Sequence, residues 1–240
     1  MSGPTRAMVM AAGLGTRMRP LTNDRPKPLV VVGGKTLIDH ALDRLVAAGV
    51  TMAVINAHYR LDMLKAHLAK RKDIEIRISE EHDELLGTGG GILKALPNFA
   101  GEPFFVLNSD SVWVEGMGRA LDRMKERWDP AEMDALLLMA SMVTAMGFEG
   151  TGDFLMDAEG RLARVPAQRV SPFAYPGVQI VHPGLFDHAP GATFSMNLLW
   201  DVAIERGRLY GMRLDGVWMH VGTPEAVREA DEFLADLAPA

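Results

Sequence analysis

The sequence predicts an α/β protein built on a mostly parallel central sheet, and three observations predict it. Short apolar runs alternate with segments of helical periodicity through the first half, the pattern of successive βαβ units. A glycine-rich turn follows directly on the first apolar run. A carboxylate, Asp110, stands just past a buried apolar run at 104–107, where open α/β sheets hold their ligands.

Taken in order, residues 7–11 form the first strand and end at the glycine turn. Over 36–48, Leu37, Ile38, Ala41, Leu42, Leu45 and Val46 recur at helical spacing, and Gly49 stops the helix. Residues 52–55 are a second strand, and 61–70 a helix that turns Leu61, Leu64 and Leu68 inward. Ile74, Ile76 and Ile78 alternate with Glu75 and Arg77, so 74–78 is a half-exposed strand. A helix is expected at 91–96, a fully buried strand at 104–107, a helix at 116–128 and an apolar strand at 135–140.

Beyond about residue 145, glycines and prolines cut the chain into shorter pieces. Strands at 154–156 and 162–165 flank a turn at 157–160. Further strands are expected at 178–181, 209–214 and 217–221, with helices at 196–205 and 224–237, the latter opened by Pro224. The expected organisation is one domain over 1–240, with a nucleotide-binding part at 1–140 and a sugar-phosphate lobe with a closing helix at 141–240. No internal repeat interrupts it.

Composition narrows the class. Hydrophobic residues at 48% and charged residues at 23% suit a globular protein with a two-sided core. The chain has no cysteine, so disulfides, thiolate nucleophiles and thiolate metal sites are excluded. A net charge of −6 without clustered lysine and arginine argues against a nucleic-acid surface. No apolar stretch is long enough for a signal peptide or a membrane span, so a cytoplasmic location is expected.

The stretch 8–27 carries the clearest chemistry. Ala12, Gly13, Gly15 and Thr16 lie in a turn whose glycines let backbone N–H groups face an anion, phosphate above all. Arg17 adds a planar fork, and Lys27 adds a point charge between Pro26 and Pro28. Spacing excludes two other phosphate loops. A dinucleotide fingerprint needs a glycine where Met18 stands, and a P-loop ending in Gly34-Lys35-Thr36 needs one where Leu29 stands. The stretch therefore reads as a nucleoside triphosphate loop. Asp110 supplies the hard oxygen that Mg²⁺ takes alongside substrate phosphates.

Ala11-Ala12-Gly13-Leu14-Gly15-Thr16-Arg17, continuing to Pro20-Leu21-Thr22 and closing on Pro26-Lys27-Pro28, resembles the signature of the sugar-1-phosphate nucleotidylyltransferases. The resemblance implies a Rossmann-like three-layer nucleotidyltransferase fold with a smaller mixed sugar-binding lobe. It also implies that Arg17 contacts the departing pyrophosphate, Lys27 the reacting phosphate, and Asp110 a catalytic magnesium. Residues 79–91 leave one strand and open a helix through Gly87-Thr88-Gly89-Gly90-Gly91, whose N–H groups and small side chains suit a base or phosphate. This stretch resembles the family's base-reading loop, which places Thr88, Gly89, Gly90 and one acidic residue among 80–84, assigned to Glu81, beside the nucleotide.

Gly152-Asp153-Phe154 and the segments 175–179, 182–186 and 194–197 are similar to a narrower group, the uridylyltransferases acting on N-acetylmuramate 1-phosphate in peptidoglycan recycling. That similarity implies UTP and a sugar 1-phosphate as partners, a monomer or weak dimer, and Asn108, Asp153, Gly177 and Asn197 at the sugar. The neighbouring alternatives are a mannose-1-phosphate guanylyltransferase, another nucleotidylyltransferase of this kind, or a cytidylyltransferase making an activated alcohol. A different class is a non-catalytic nucleotide-binding regulatory protein. One residue departs from the family pattern. Trp218-Met219-His220-Val221-Gly222-Thr223 carries His220 where the resemblance expects a second magnesium-binding aspartate. Imidazole suits Mg²⁺ poorly and softer ions such as Mn²⁺ better.

Overall fold

The computed structural model describes residues 3–81 and 85–237. The chain runs β1 (Arg6–Met10), a small hairpin of β2 (Val31–Val32) and β3 (Lys35–Thr36), then α1 (Leu37–Ala47) and β4 (Met52–Ala57). Next come α2 (Leu61–Leu68), β5 (Glu75–Glu80), α3 (Gly87–Ala95), β6 (Phe104–Asn108) and β7 (Ser111–Glu115). They are followed by α4 (Ala120–Arg127), β8 (Ala135–Ser141), the pair β9 (Phe154–Met156) and β10 (Leu162–Arg164), and β11 (Phe173–Ala174). The last elements are β12 (Val178–Val181), α5 (Asn197–Glu205), β13 (Leu209–Arg213), β14 (Gly216–His220) and α6 (Pro224–Asp236).

The central sheet has the order β11-β8-β12-β6-β1-β4-β5, with β13 beside β8. Strands β6, β1, β4 and β5 are parallel, as are β13 and β8, whereas β12 runs against both of its neighbours. The mostly parallel α/β architecture expected from the sequence is the one found. Strands β12 and β13 from the second half complete the same sheet.

The alternation of side chains along a strand builds the layers. On β1, Ala7 and Val9 join Ile38 and Leu42 of α1, Leu64 of α2 and Leu121 of α4 on one face. Met8 joins Ile92 of α3 and Leu199 and Ala203 of α5 on the other. A third apolar cluster joins Met18 to Val112, Met219, Val227 and Ala230, and so packs α6 against the glycine-loop side of the molecule.

Two differences from the expected elements matter. The helix expected at 91–96 begins earlier, at Gly87, and the one expected at 116–128 begins later, at Ala120. The Glu115 carboxylate fixes the second start by accepting the Ala120 N–H at 3.0 Å. The second difference is β7, which pairs antiparallel with β14 so that Ser111 faces His220 and Trp113 faces Trp218. Its partner lies a hundred residues away, so no local periodicity announces it. Arg44 of α1 fastens the ribbon, donating to Glu115 Oε1 at 3.1 Å and to the Trp113 carbonyl, with its guanidinium 3.9 Å over the Trp113 ring.

His40 of α1 makes this fold pH-sensitive. Its Nε2–H donates to the Val32 carbonyl at 2.7 Å, and burial holds its pKa below the ordinary 6.5. A lowered native value means that protonation favours the unfolded chain. The neutral ring's contribution is present above 6.5 and is lost as pH falls from there through the native value. Melting temperature recorded between pH 8 and 5 is expected to fall less steeply for His40→Gln than for the parent, and equal slopes would assign the loss elsewhere.

Candidate active site

The parallel strands β1 and β6 end level with one another beside β4, which runs one residue further to Ala57. Met10 lies opposite Asn56 on β4 and opposite Asn108 on β6, so these three residues form one row at the carboxyl edge of the sheet. A cavity of about 420 Å³ opens over that row, within the ordinary range for small-ligand sites. Its walls come from the glycine loop at 11–18, from Lys27, and from Asn108, Ser109 and Asp110 beyond β6. Asn56, Glu81, Leu85, Gly87 and Thr88 complete the lining.

The glycine loop is folded back on itself. Gly15 sits in the left-handed region at φ 64°, and a Cβ there would lie 2.9 Å from Lys27 Cβ, so both conformation and close approach require glycine. Its carbonyl accepts from the Thr22 hydroxyl at 2.8 Å and the Met18 N–H at 3.0 Å. This closure brings Lys27 across the cavity to Asp110, with Nζ and Oδ2 2.5 Å apart and both side chains partly buried. Arg17 is exposed and lines this cavity together with a second one of about 660 Å³. Phe148, Glu149, His220, Thr223 and Glu225 also line that neighbour.

The structure therefore gathers Ala12, Gly13, Gly15, Thr16, Arg17, Lys27, Glu81, Thr88, Asn108 and Asp110 around one space. Gly89 and Gly90 have a different partner. Their N–H groups both donate to the Phe194 carbonyl, at 2.9 and 3.3 Å, and are not turned to the cavity as the sequence reading expected. A Cβ on Gly89 would stand 2.2 Å from the Phe194 ring, and one on Gly90 2.1 Å from the Ala192 carbonyl oxygen. The glycines admit the chain at 192–194, and Thr88 Oγ1 secures it by accepting the Met196 N–H at 2.9 Å. Residues His82, Asp83 and Glu84 of the acidic stretch lie outside the described residues.

The sugar-side residues divide. Gly177 packs on Asn108, its carbonyl accepting the Asn108 N–H at 2.7 Å, at the edge of the cavity. Asp153 is exposed on the β9 side and its Oδ2 accepts the Tyr175 N–H at 2.7 Å. Asn197 starts α5 and donates from Nδ2 to Ser195 Oγ at 3.1 Å. Neither of these two lines the cavity over the strand ends.

Metal-binding capacity rests on few groups. Among the described residues, no three carboxylates or imidazoles gather in an arrangement able to hold an ion. Asp110 offers one hard oxygen donor, a set that suits Mg²⁺ only in company with phosphates and water. Burial holds the His220 pKa below 6.5, opposed by Asp110 and aided by Lys27 and Arg17, so the ring is neutral near pH 7. Sequence reasoning gave Asn56 no role of its own. The available signal was an amide closing the otherwise apolar run of β4, every residue of which is buried.

A glycine loop, the Lys27–Asp110 pair and a cavity at the carboxyl edge of a mostly parallel sheet place this chain among the α/β proteins that hold their ligands at the strand ends. Residues 6–148 match the Nucleotidyl transferase family, and the chain belongs to it. It is 48% identical to the N-acetylmuramate alpha-1-phosphate uridylyltransferase of Caulobacter vibrioides, over 97% of this chain and 98% of the relative. It is 31% identical to the mannose-1-phosphate guanyltransferase beta-B of Xenopus laevis, over 92% of this chain and 62% of that longer protein. A solved UDP-glucose pyrophosphorylase complexed with UDP-glucose superposes with a TM-score of 0.79 at 19% identity, covering 98% of this chain and all of that one, which shows the shared fold.

The packing at 87–90 yields a direct check. Gly89→Ala is expected to lower the melting temperature, and adding Phe194→Ala should recover part of the loss because a movable ring is the obstacle. Gly90→Ala meets backbone, so the same second change should recover nothing. Equal behaviour of the two glycines would contradict the packing described.

Proposed function

We propose that this protein transfers UMP from UTP to N-acetylmuramate α-1-phosphate, giving UDP-N-acetylmuramate and pyrophosphate. The carrying observation is the 48% identity to the Caulobacter uridylyltransferase, sustained over nearly the whole of both chains. The cavity supports it with a phosphate loop, a base-side wall and the Lys27–Asp110 pair between them. The guanyltransferase relative keeps a second reading in view, GTP with mannose 1-phosphate, at lower identity and partial coverage.

The chemistry is a displacement without a covalent enzyme intermediate. A phosphate oxygen of the sugar phosphate attacks the α-phosphorus of UTP in line, the new O–P bond forms, and the bond to the β-phosphate oxygen breaks to release pyrophosphate. Both reactants are anions, so positioning and charge neutralisation supply most of the acceleration. Lys27 meets the reacting α-phosphate, and Arg17 takes the charge growing on pyrophosphate. Asp110 would hold a divalent cation together with substrate phosphates, and the ion would add neutralisation there. In the free protein Asp110 Oδ2 is held by Lys27 at 2.5 Å, and an incoming α-phosphate would compete for that ammonium and leave both carboxylate oxygens to the cation. His220 is a softer donor than the aspartate it replaces, and we assign it to the phosphate-facing wall beside Arg17.

Purified protein given divalent cation, UTP or GTP, and a panel of sugar 1-phosphates tests this reading. The expected result is pyrophosphate release with its highest kcat/KM for UTP and N-acetylmuramate α-1-phosphate, and a product of matching mass. Faster turnover of GTP with mannose 1-phosphate, or no release with any pair, would sink it. In the same assay Lys27→Ala should lower kcat by about a hundredfold or more, the usual effect of removing one transition-state charge partner.

A further inference from the structure

Asn56 and Glu81 form a buried junction that ties both sides of the cavity together. Asn56 is 2% exposed and Glu81 3%, and both line the cavity. The Asn56 Oδ1 accepts the N–H of Ala11, the first residue past β1, at 2.8 Å. Its Nδ2 donates to Glu81 Oε1 at 2.7 Å. The second carboxylate oxygen, Oε2, accepts the N–H of Leu86, just before α3, at 3.2 Å. His58 Nδ1 donates to the Glu81 carbonyl at 2.6 Å and holds the same segment from the other side.

Gly91 belongs to this junction as well. A Cβ there would stand 2.9 Å from Asn56 Nδ2 and 3.0 Å from Glu81 Oε1, so the helix approaches only because the side chain is absent. Burying an amide and a carboxylate is costly unless each polar atom finds a partner. Here the amide has one acceptor and one donor contact, and each carboxylate oxygen accepts a hydrogen bond. Such a junction has a set polarity. It needs an acceptor facing Ala11, one donor between the two side chains, and an acceptor facing Leu86.

We propose that Asn56 and Glu81 are positioning residues, a brace that fixes the spacing between the phosphate loop and the base-side loop so that one nucleotide spans both. This rests on the reading of the cavity as a nucleoside triphosphate site, and it gives Glu81 a different duty from reading the base. The brace acts through backbone. Ala11 leads into the glycine loop, and Leu86 leads into Gly87 and Thr88.

The polarity of the brace can be exchanged. Asn56→Asp sets two carboxylates against each other, and Glu81→Gln leaves one donor facing another. The double variant restores the pattern. Its carboxylate at position 56 accepts from Ala11 and from the new amide at position 81, whose oxygen accepts from Leu86. UTP binding by calorimetry, with melting temperature recorded beside it, reads the outcome. Each single variant should weaken UTP binding by about tenfold or more, the scale of a hydrogen bond to a charged group, and the double should return to within about threefold of the parent. Single variants that bind UTP normally, or a double as weak as the two losses multiplied, would overturn the brace. If either single variant fails to fold, a folded double that binds UTP supports the brace, and a double that does not bind overturns it. A parent protein that binds no UTP rejects the nucleotide reading before any variant is made.

Discussion

The level row of Asn108, Met10 and Asn56 is the constraint on which the site depends. Parallel pairing of β1 with β4 and β6 sets that row, and the pairing is fixed by apolar side chains packed on both faces of the sheet. A one-residue slip would exchange the two faces of β1, so register is strongly held. The glycine loop leaves β1 after Met10 and Ser109-Asp110 leave β6 after Asn108 at one height, with Asn56 beside them on β4 and Glu81 one residue past the end of β5. Precision at the cavity is inherited from the core beneath it.

Charge balance across that row follows from how the glycine loop closes. Gly15 brings Lys27 over the strand ends, and the ammonium pairs with Asp110. In the proposed reaction the same lysine would serve two partners in turn, a protein carboxylate in the free protein and a substrate phosphate in the complex. The proposed reaction joins two polyanions over a site with few permanent charges, and so would place weight on Arg17, on loop N–H groups and on a cation held with the substrates. His220 stands where the resemblance leads one to expect an aspartate, and it borders the neighbouring cavity that Arg17 shares.

Much of the architecture was legible because burial writes period two or 3.6 into local sequence. The strands β1, β4, β6, β8 and β12 and the helices α1 and α6 fall close to their expected ranges for that reason. The glycine loop was legible because its demands are local, glycines at a turn with charges at fixed offsets. Features that depend on distant partners were not. The β7 strand needs β14, and the glycines at 89 and 90 answer to the chain at 192–194. Glycines at a helix start predict free N–H groups at α3, yet Phe194 takes two of them. Asn56 shows the same limit, since its meaning lies in Ala11 and Glu81, which no spacing in the sequence brings together.

On the proposed reading one nucleotide bridges the braced loops with its α-phosphorus between Lys27 and Asp110. A crystal structure with the α,β-methylene analogue of UTP and a divalent cation tests it most directly. The expected result is the base against the Leu85–Thr88 wall, the β- and γ-phosphates under the N–H groups of the glycine loop, and Lys27 moved from Asp110 to an α-phosphate oxygen. Triphosphate density lying in the neighbouring cavity beside His220, with the Lys27–Asp110 contact intact, would contradict it.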